Sequence, residues 1–180
     1  DQLALMIREC GTKLQTGFVG TPYLLHVLSD YGHTDLAYSL LLREQYPSWL
    51  YPVTKGATTV WEHWDGIMEN GDFWSRNMNS FNHYAYGAVA DWVYCCAAGI
   101  TPAEGFPGYS KVRIAPAPDA RLDWLEASLD TRHGRIISRW KKQDSLWRYE
   151  ITTPVDAEVV IDGKTFLVSA GSYIYFSEKP

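Results

Sequence analysis

The hydrophobic period of this 180-residue chain changes once, from about 3.6 residues before Gly99 to 2 residues after it. Leu3, Met6 or Ile7, Cys10 and Leu14 have the spacing of one helix face. Thr21-Pro22 reads as an N-cap hydroxyl followed by proline at the first helical position, and Gly32 reads as the C′ stop of that helix. Thr34 caps the next helix, which runs through Leu36, Leu40 and Leu41 to about Gln45, so the two are antiparallel neighbours. A last helical face, Phe81, Tyr84, Ala88, Trp92 and Cys95 or Cys96, extends to about Ala98. Between these lie an aromatic loop, 46–56, and a polar Gly/Asn loop, 66–80, of the kind that serves as a lid.

Beyond Gly99 the residues alternate. Pro102, Gly105, Pro107 and Gly108 form a linker-like boundary, and Val112 and Ile114 begin a strand that ends at Pro116. Strands follow over 122–129, 135–141, 147–151, 158–161, 165–168 and 173–176, with Asp162-Gly163 as a hairpin turn. Short strands separated by frequent turns imply an antiparallel sandwich, with Trp124, Trp140 and Trp147 as its core. The expected fold is therefore a multi-domain, α-then-β one: a partial helical array over 1–100, then a small β-sandwich over 101–180.

Net charge is −5, and the densest basic group is Arg139, Lys141 and Lys142, which argues against nucleic acid as a partner. The cysteines Cys10, Cys95 and Cys96 have no zinc-ligand spacing and read as small buried hydrophobes, so no metal and no cofactor are expected. No apolar run reaches membrane-spanning length, so no membrane partner is expected. The start, Asp1-Gln2-Leu3, is expected to lie inside a larger protein, whose compartment a missing leader then leaves open.

Eight tryptophans and twelve tyrosines raise the aromatic content to 14%, and the densest chemistry sits at 57–66. There Glu62 lies between Trp61 and Trp64, with His63 and Asp65 beside it. A carboxylate among large aromatics is either the outer face of a helix start or a functional acid, and the segment reads equally as helical or extended. Asp65, Glu69 and Asp72 compete with Glu62; the last two, in a Gly/Asn loop, read as turn residues. His83 follows Ser80 and Asn82 near a helix start, His26 and His33 read as helix-surface residues, and His133 as a turn. Tryptophan faces are a common platform for the C–H faces of sugar rings, so one of Trp61 and Trp64 is expected to face a sugar and the other to pack against the helices.

Several segments together carry a family resemblance. They are Thr16-Gly17-Phe18-Val19-Gly20-Thr21-Pro22, Thr34-Asp35-Leu36-Ala37-Tyr38, Tyr46-Pro47-Ser48-Trp49-Leu50, and the run from Gly56 to Asp65. Ser80–Gly87 and the segment Gly108–Pro116 complete the set, in order along most of the chain. The whole resembles the bacterial α-L-rhamnosidases. That resemblance implies an inverting glycoside hydrolase with an (α/α)6 barrel followed by a β-sandwich, and α-L-rhamnosides as substrates. It maps the catalytic base onto Glu62 and a rhamnose contact onto His83, with Trp61 and Trp64 as candidate substrate-binding residues. The general acid is expected outside these residues, so the chain alone is expected to be inert. Its partners would be the remainder of its barrel or a second copy of itself. Two other readings stand beside this: a barrel hydrolase for another sugar, and a non-catalytic carbohydrate-binding or assembly fragment.

Overall fold

The structure is a computed structural model describing residues 1–178. It divides into two compact units, the first ending at Ala90 and the second beginning at Asp91.

The first unit holds α1 (Gln2–Glu9), α2 (Thr21–Asp30), α3 (Thr34–Leu41) and the short α4 (Leu50–Thr54). Leu24, Leu25 and Leu28 of α2 and Leu36, Ala37 and Leu40 of α3 are buried, and these two helices pack together. Gly32 ends α2 as expected, at φ 82°. The His33 amide donates to Leu28 O at 2.7 Å and the Gly32 amide to Ser29 O at 3.1 Å, the paired closure of a Schellman motif. The start of α2 differs from expectation. Gly20 holds the cap position, and Thr21 is the first helical residue. The Thr21 hydroxyl instead ties down the preceding loop, donating to Gly17 O at 2.8 Å. Likewise His33, not Thr34, precedes α3. Within 46–56, expected as loop, α4 forms, and Ser48 Oγ accepts from the Tyr51 amide at 3.1 Å.

The final helical run is a correction to the single helix expected from Phe81. It begins at Tyr84 as a 3-10 helix (Tyr84–Ala88), becomes α5 (Val89–Trp92) and widens to a π-helix (Val93–Ala97). Phe81 and His83 are unavailable to a helix because their backbone is bonded to residues 59–60.

The second unit contains eight strands: β1 (Ile100–Pro102), β2 (Val112–Ile114), β3 (Trp124–Thr131), β4 (Gly134–Gln143), β5 (Leu146–Thr153), β6 (Ala157–Ile161), β7 (Lys164–Val168) and β8 (Gly171–Ser177). They form two four-stranded sheets, ordered β1-β2-β6-β7 and β3-β4-β5-β8. All pairs are antiparallel except β2–β6, so the sandwich is not purely antiparallel. β1 was legible only as linker, because three residues ending in proline carry no alternation to read. Between the sheets are packed Ile100, Ile114, Ile136, Trp140, Tyr149 and Ile151. Trp140 and Trp147 meet edge to face at 5.5 Å, as core residues. Trp124 does not: it is 67% exposed, because the register of β3 turns it outward.

Two buried side chains of this unit are matched by carbonyls at the end of the helical run, as burial requires. Ser138 Oγ donates to Ala98 O at 2.7 Å and Trp140 Nε1 to Ala97 O at 2.8 Å. Gly99 follows at φ 75°, and a Cβ there would lie 2.1 Å from the Ala115 carbonyl carbon. Gly99→Ala should therefore destabilise the second unit by more than about 2 kcal/mol, read as a fall in the chemical-denaturation midpoint.

Burial, and secondarily the charge of Asp162, pushes the Tyr149 phenol up to about 12. The folded state thus keeps a proton that the unfolded chain releases above its ordinary value near 10. Stability should be intact below about pH 10 and fall as pH rises toward about 12. A Tyr149→Phe variant should lose less stability across that window, measured by denaturation at stepped pH.

Candidate active site

The stretch 57–66 is neither helix nor strand. It is held by the backbone of 80–83: the Glu62 amide donates to Ser80 O at 2.9 Å and the His83 amide to Val60 O at 2.8 Å. The Thr59 hydroxyl adds a bond to Phe81 O. Two segments about twenty residues apart in sequence are thereby fixed side by side, one carrying Glu62 and the other His83. A tight turn follows, closed by the Gly66 amide on His63 O at 3.2 Å.

Within this clamp the tryptophans take different places. Trp61 is 5% exposed and meets Phe81 edge on at 4.9 Å, making it the packing residue. Trp64 is half-buried, stacks on Tyr86 at 3.7 Å and takes the edge of Trp49 at 5.4 Å. The Trp49 Nε1 is fixed by donation to Tyr86 O at 2.9 Å. Trp49, Val60, Trp64 and Tyr86, with the buried Trp61, are among the residues lining an apolar recess of about 130 Å³.

His83 is oriented on two sides. Its Nδ1 accepts from the Ala85 amide at 3.4 Å, which assigns the ring proton to Nε2 in the neutral form. Its ring is stacked on Phe18, with centroids 4.8 Å apart and 13° between planes. Phe18 also touches Tyr86 at 5.0 Å. An aromatic chain therefore runs Trp49, Trp64, Tyr86, Phe18, His83. His63 lies elsewhere, stacked on Trp74 at 3.6 Å.

Glu62 is half-buried, and among the described residues its carboxylate has no hydrogen bond or ion pair. The competing acids are differently placed. Asp72 is engaged within its turn, accepting from Asn70 Nδ2 at 2.9 Å. Glu69 is exposed. Asp65 lies near two phenols: burial, then the Asp65 charge, holds Tyr46 above the usual phenol range. Burial, then Glu69 and Asp65, does the same for Tyr51, whose hydroxyl donates to Ile67 O at 3.0 Å. Tyr86 is raised by burial and then by Tyr46. These phenols stay protonated at neutral pH, and that of Tyr51 is the one seen donating a hydrogen bond among the described residues.

Sequence reasoning brought forward Glu62, His83 and both tryptophans, and the structure joins their two segments. It did not single out Phe18, Trp49, Tyr86 or Asn79. The Phe18 signal was its place between Gly17 and Gly20, a loop able to approach other groups closely. Asn79 donates to Gly66 O at 2.9 Å, a contact without a sequence signature.

The first unit is similar to part of a six-hairpin glycosidase domain. More narrowly, residues 1–97 match the family described as the bacterial alpha-L-rhamnosidase 6 hairpin glycosidase domain, and residues 99–168 match the bacterial alpha-L-rhamnosidase C-terminal domain. The chain belongs to that alpha-L-rhamnosidase family. It is 48% identical over 143 residues to an alpha-L-rhamnosidase of Streptomyces avermitilis, covering 79% of this chain and 14% of that protein. An alpha-L-rhamnosidase of Formosa agariphila is 41% identical over 162 residues, covering 90% of this chain and 17% of that protein. The crystal structure of the Streptomyces avermitilis alpha-L-rhamnosidase complexed with L-rhamnose superposes with a TM-score of 0.89 at 38% identity. That match covers 96% of this chain and 19% of the other. The native enzyme from Aspergillus terreus gives 0.90 at 34% identity, covering 96% and 20%. The chain thus spans a fifth or less of each of these relatives.

Gly66 is where the clamp is tightest. A Cβ there would meet Phe81 and Trp61 at 3.1 Å and Asn79 Oδ1 at 3.3 Å. Gly66→Ala should cost about 1–3 kcal/mol through overpacking, seen as a lowered melting temperature. Gly56→Ser, where nothing lies within 4 Å but φ is 83°, separates backbone strain from crowding.

Proposed function

We propose that this chain supplies the general base of an inverting glycoside hydrolase that releases terminal α-L-rhamnose from glycosides or polysaccharides. The observation that carries this reading is the backbone clamp that ties Glu62 to the His83 segment, beside an aromatic wall. Family membership and the rhamnose complex of a relative support the choice of sugar.

Inverting hydrolysis needs two carboxyl groups on opposite faces of the sugar, about 6.5–9.5 Å apart, with a water on the base side. Glu62, a carboxylate uncommitted to any ion pair, accepts a proton from that water as the water attacks the anomeric carbon. On this reading the acid that protonates the leaving oxygen belongs to the remainder of the barrel. His83, whose Nδ1 accepts from the Ala85 amide, presents Nε2–H to a sugar hydroxyl. Trp64 offers the apolar wall for the C–H face of the ring, and Trp61 supports the segment from beneath.

Glu62→Gln in the intact protein should lower kcat on an aryl α-L-rhamnoside by about 10²–10⁴-fold while leaving rhamnose binding in place. Activity within a few-fold of wild type would remove Glu62 from the base role. Residues 1–180 alone should show no hydrolysis.

A further inference from the structure

The outward face of the sheet β3-β4-β5-β8 holds side chains that the core does not use. Trp124 lies opposite Lys141, Lys141 opposite Arg148, and Arg148 opposite Phe176. Residues directly opposite in antiparallel strands share a face, so these four form one row across the sheet. Its two ends are exposed aromatics, set about 14 Å apart by three strand spacings of ~4.8 Å. The neighbouring row is Glu126, Arg139, Glu150 and Ile174. Arg139 Nη2 donates to Glu126 Oε1 at 2.9 Å, its Nη1 lies 3.8 Å from Glu150 Oε2, and Arg148 pairs with the same Glu150. The Arg139 Nε is buried without a partner among the described residues. Trp124, Glu126, Arg139, Lys141, Arg148 and Glu150 line a groove of about 220 Å³.

Cross-strand ion pairing accounts for the charged row as a sheet stabiliser. It does not account for an indole left two-thirds in water beside it. The combination suits a particular chemistry. An aromatic face accepts the C–H face of a pyranose, while planar guanidinium and carboxylate groups offer paired donors and acceptors to vicinal hydroxyls. Carboxylates interleaved with the cations oppose a phosphate backbone. Charges at the centre of the patch oppose the apolar core of a protein interface.

We propose that this face is a glycan-binding platform, with Trp124 as the stacking residue and the Glu126–Arg139–Glu150–Arg148 ladder as its hydroxyl-recognising partner. The row from Trp124 to Phe176 is long enough for more than one sugar ring, so the ligand is a polysaccharide segment rather than a monosaccharide.

The test is native affinity electrophoresis of the intact protein in gels containing a neutral galactan or polygalacturonate. Wild type should be retarded by at least one. Trp124→Ala and Arg148→Gln should each weaken that retardation about two- to tenfold, with hydrolysis of a small aryl α-L-rhamnoside unchanged. Retardation of wild type by neither polymer overturns the platform, as does equal retardation of wild type and both variants. Retardation by polygalacturonate alone that Arg148→Gln abolishes and Trp124→Ala retains also overturns it, as simple charge attraction. Retardation is read without hydrolysis, so its failure is separate from any failure of the rhamnosidase reading.

Discussion

Two backbone hydrogen bonds, Glu62 N–H to Ser80 O and His83 N–H to Val60 O, hold the candidate site together. A helix would orient a carboxylate through its own repeating bonds. Here the segment around Glu62 has no such frame, and its geometry is borrowed from a second segment. Backbone groups must be satisfied somewhere, and in this loop-rich region they are satisfied by each other. One consequence is that the element expected to begin at Phe81 cannot do so. The helical run starts at Tyr84, immediately after the clamp is complete.

The aromatics then stiffen what the hydrogen bonds align. Trp61 against Phe81 fills the space beneath the clamp, and a Cβ on Gly66 would press on both at 3.1 Å. Phe18 and the Ala85 amide fix the plane and tautomer of His83. Trp64, stacked on Tyr86 and braced by Trp49, stands as a wall rather than as core. In the second unit tryptophan divides in the same way. Trp140 and Trp147 are buried between the sheets, while Trp124 faces outward. Side-chain type did not decide these fates; register and local bonding did.

That distinction marks what was legible in the sequence. Periodicity revealed the helix-then-strand order, Gly32 as a helix stop, and the strands from β2 to β8, because each leaves a repeating pattern of apolar residues. It could not reveal β1, which is three residues long, or the parallel β2–β6 pairing, which depends on partners far apart in sequence. It assigned Trp124 to the core because alternation gives two faces without saying which is inward. Glu62 and His83 were visible as residues of the right chemistry at a family spacing. Their attachment to each other was not, since backbone hydrogen bonds between irregular segments have no sequence pattern. The Asn79 side-chain bond to Gly66 O has no pattern either, and the glycine-bracketed loop of Phe18 marks a close approach without saying to which ring.

The proposed reaction is single displacement at the sugar, with Glu62 taking the proton of the attacking water. The most direct measurement is ¹H NMR of the first product formed by the intact protein from an aryl α-L-rhamnoside, recorded before mutarotation. β-L-rhamnopyranose should appear first and the α anomer grow in later. The α anomer as the initial product would contradict it, since a retaining enzyme needs a nucleophile where this account places a base.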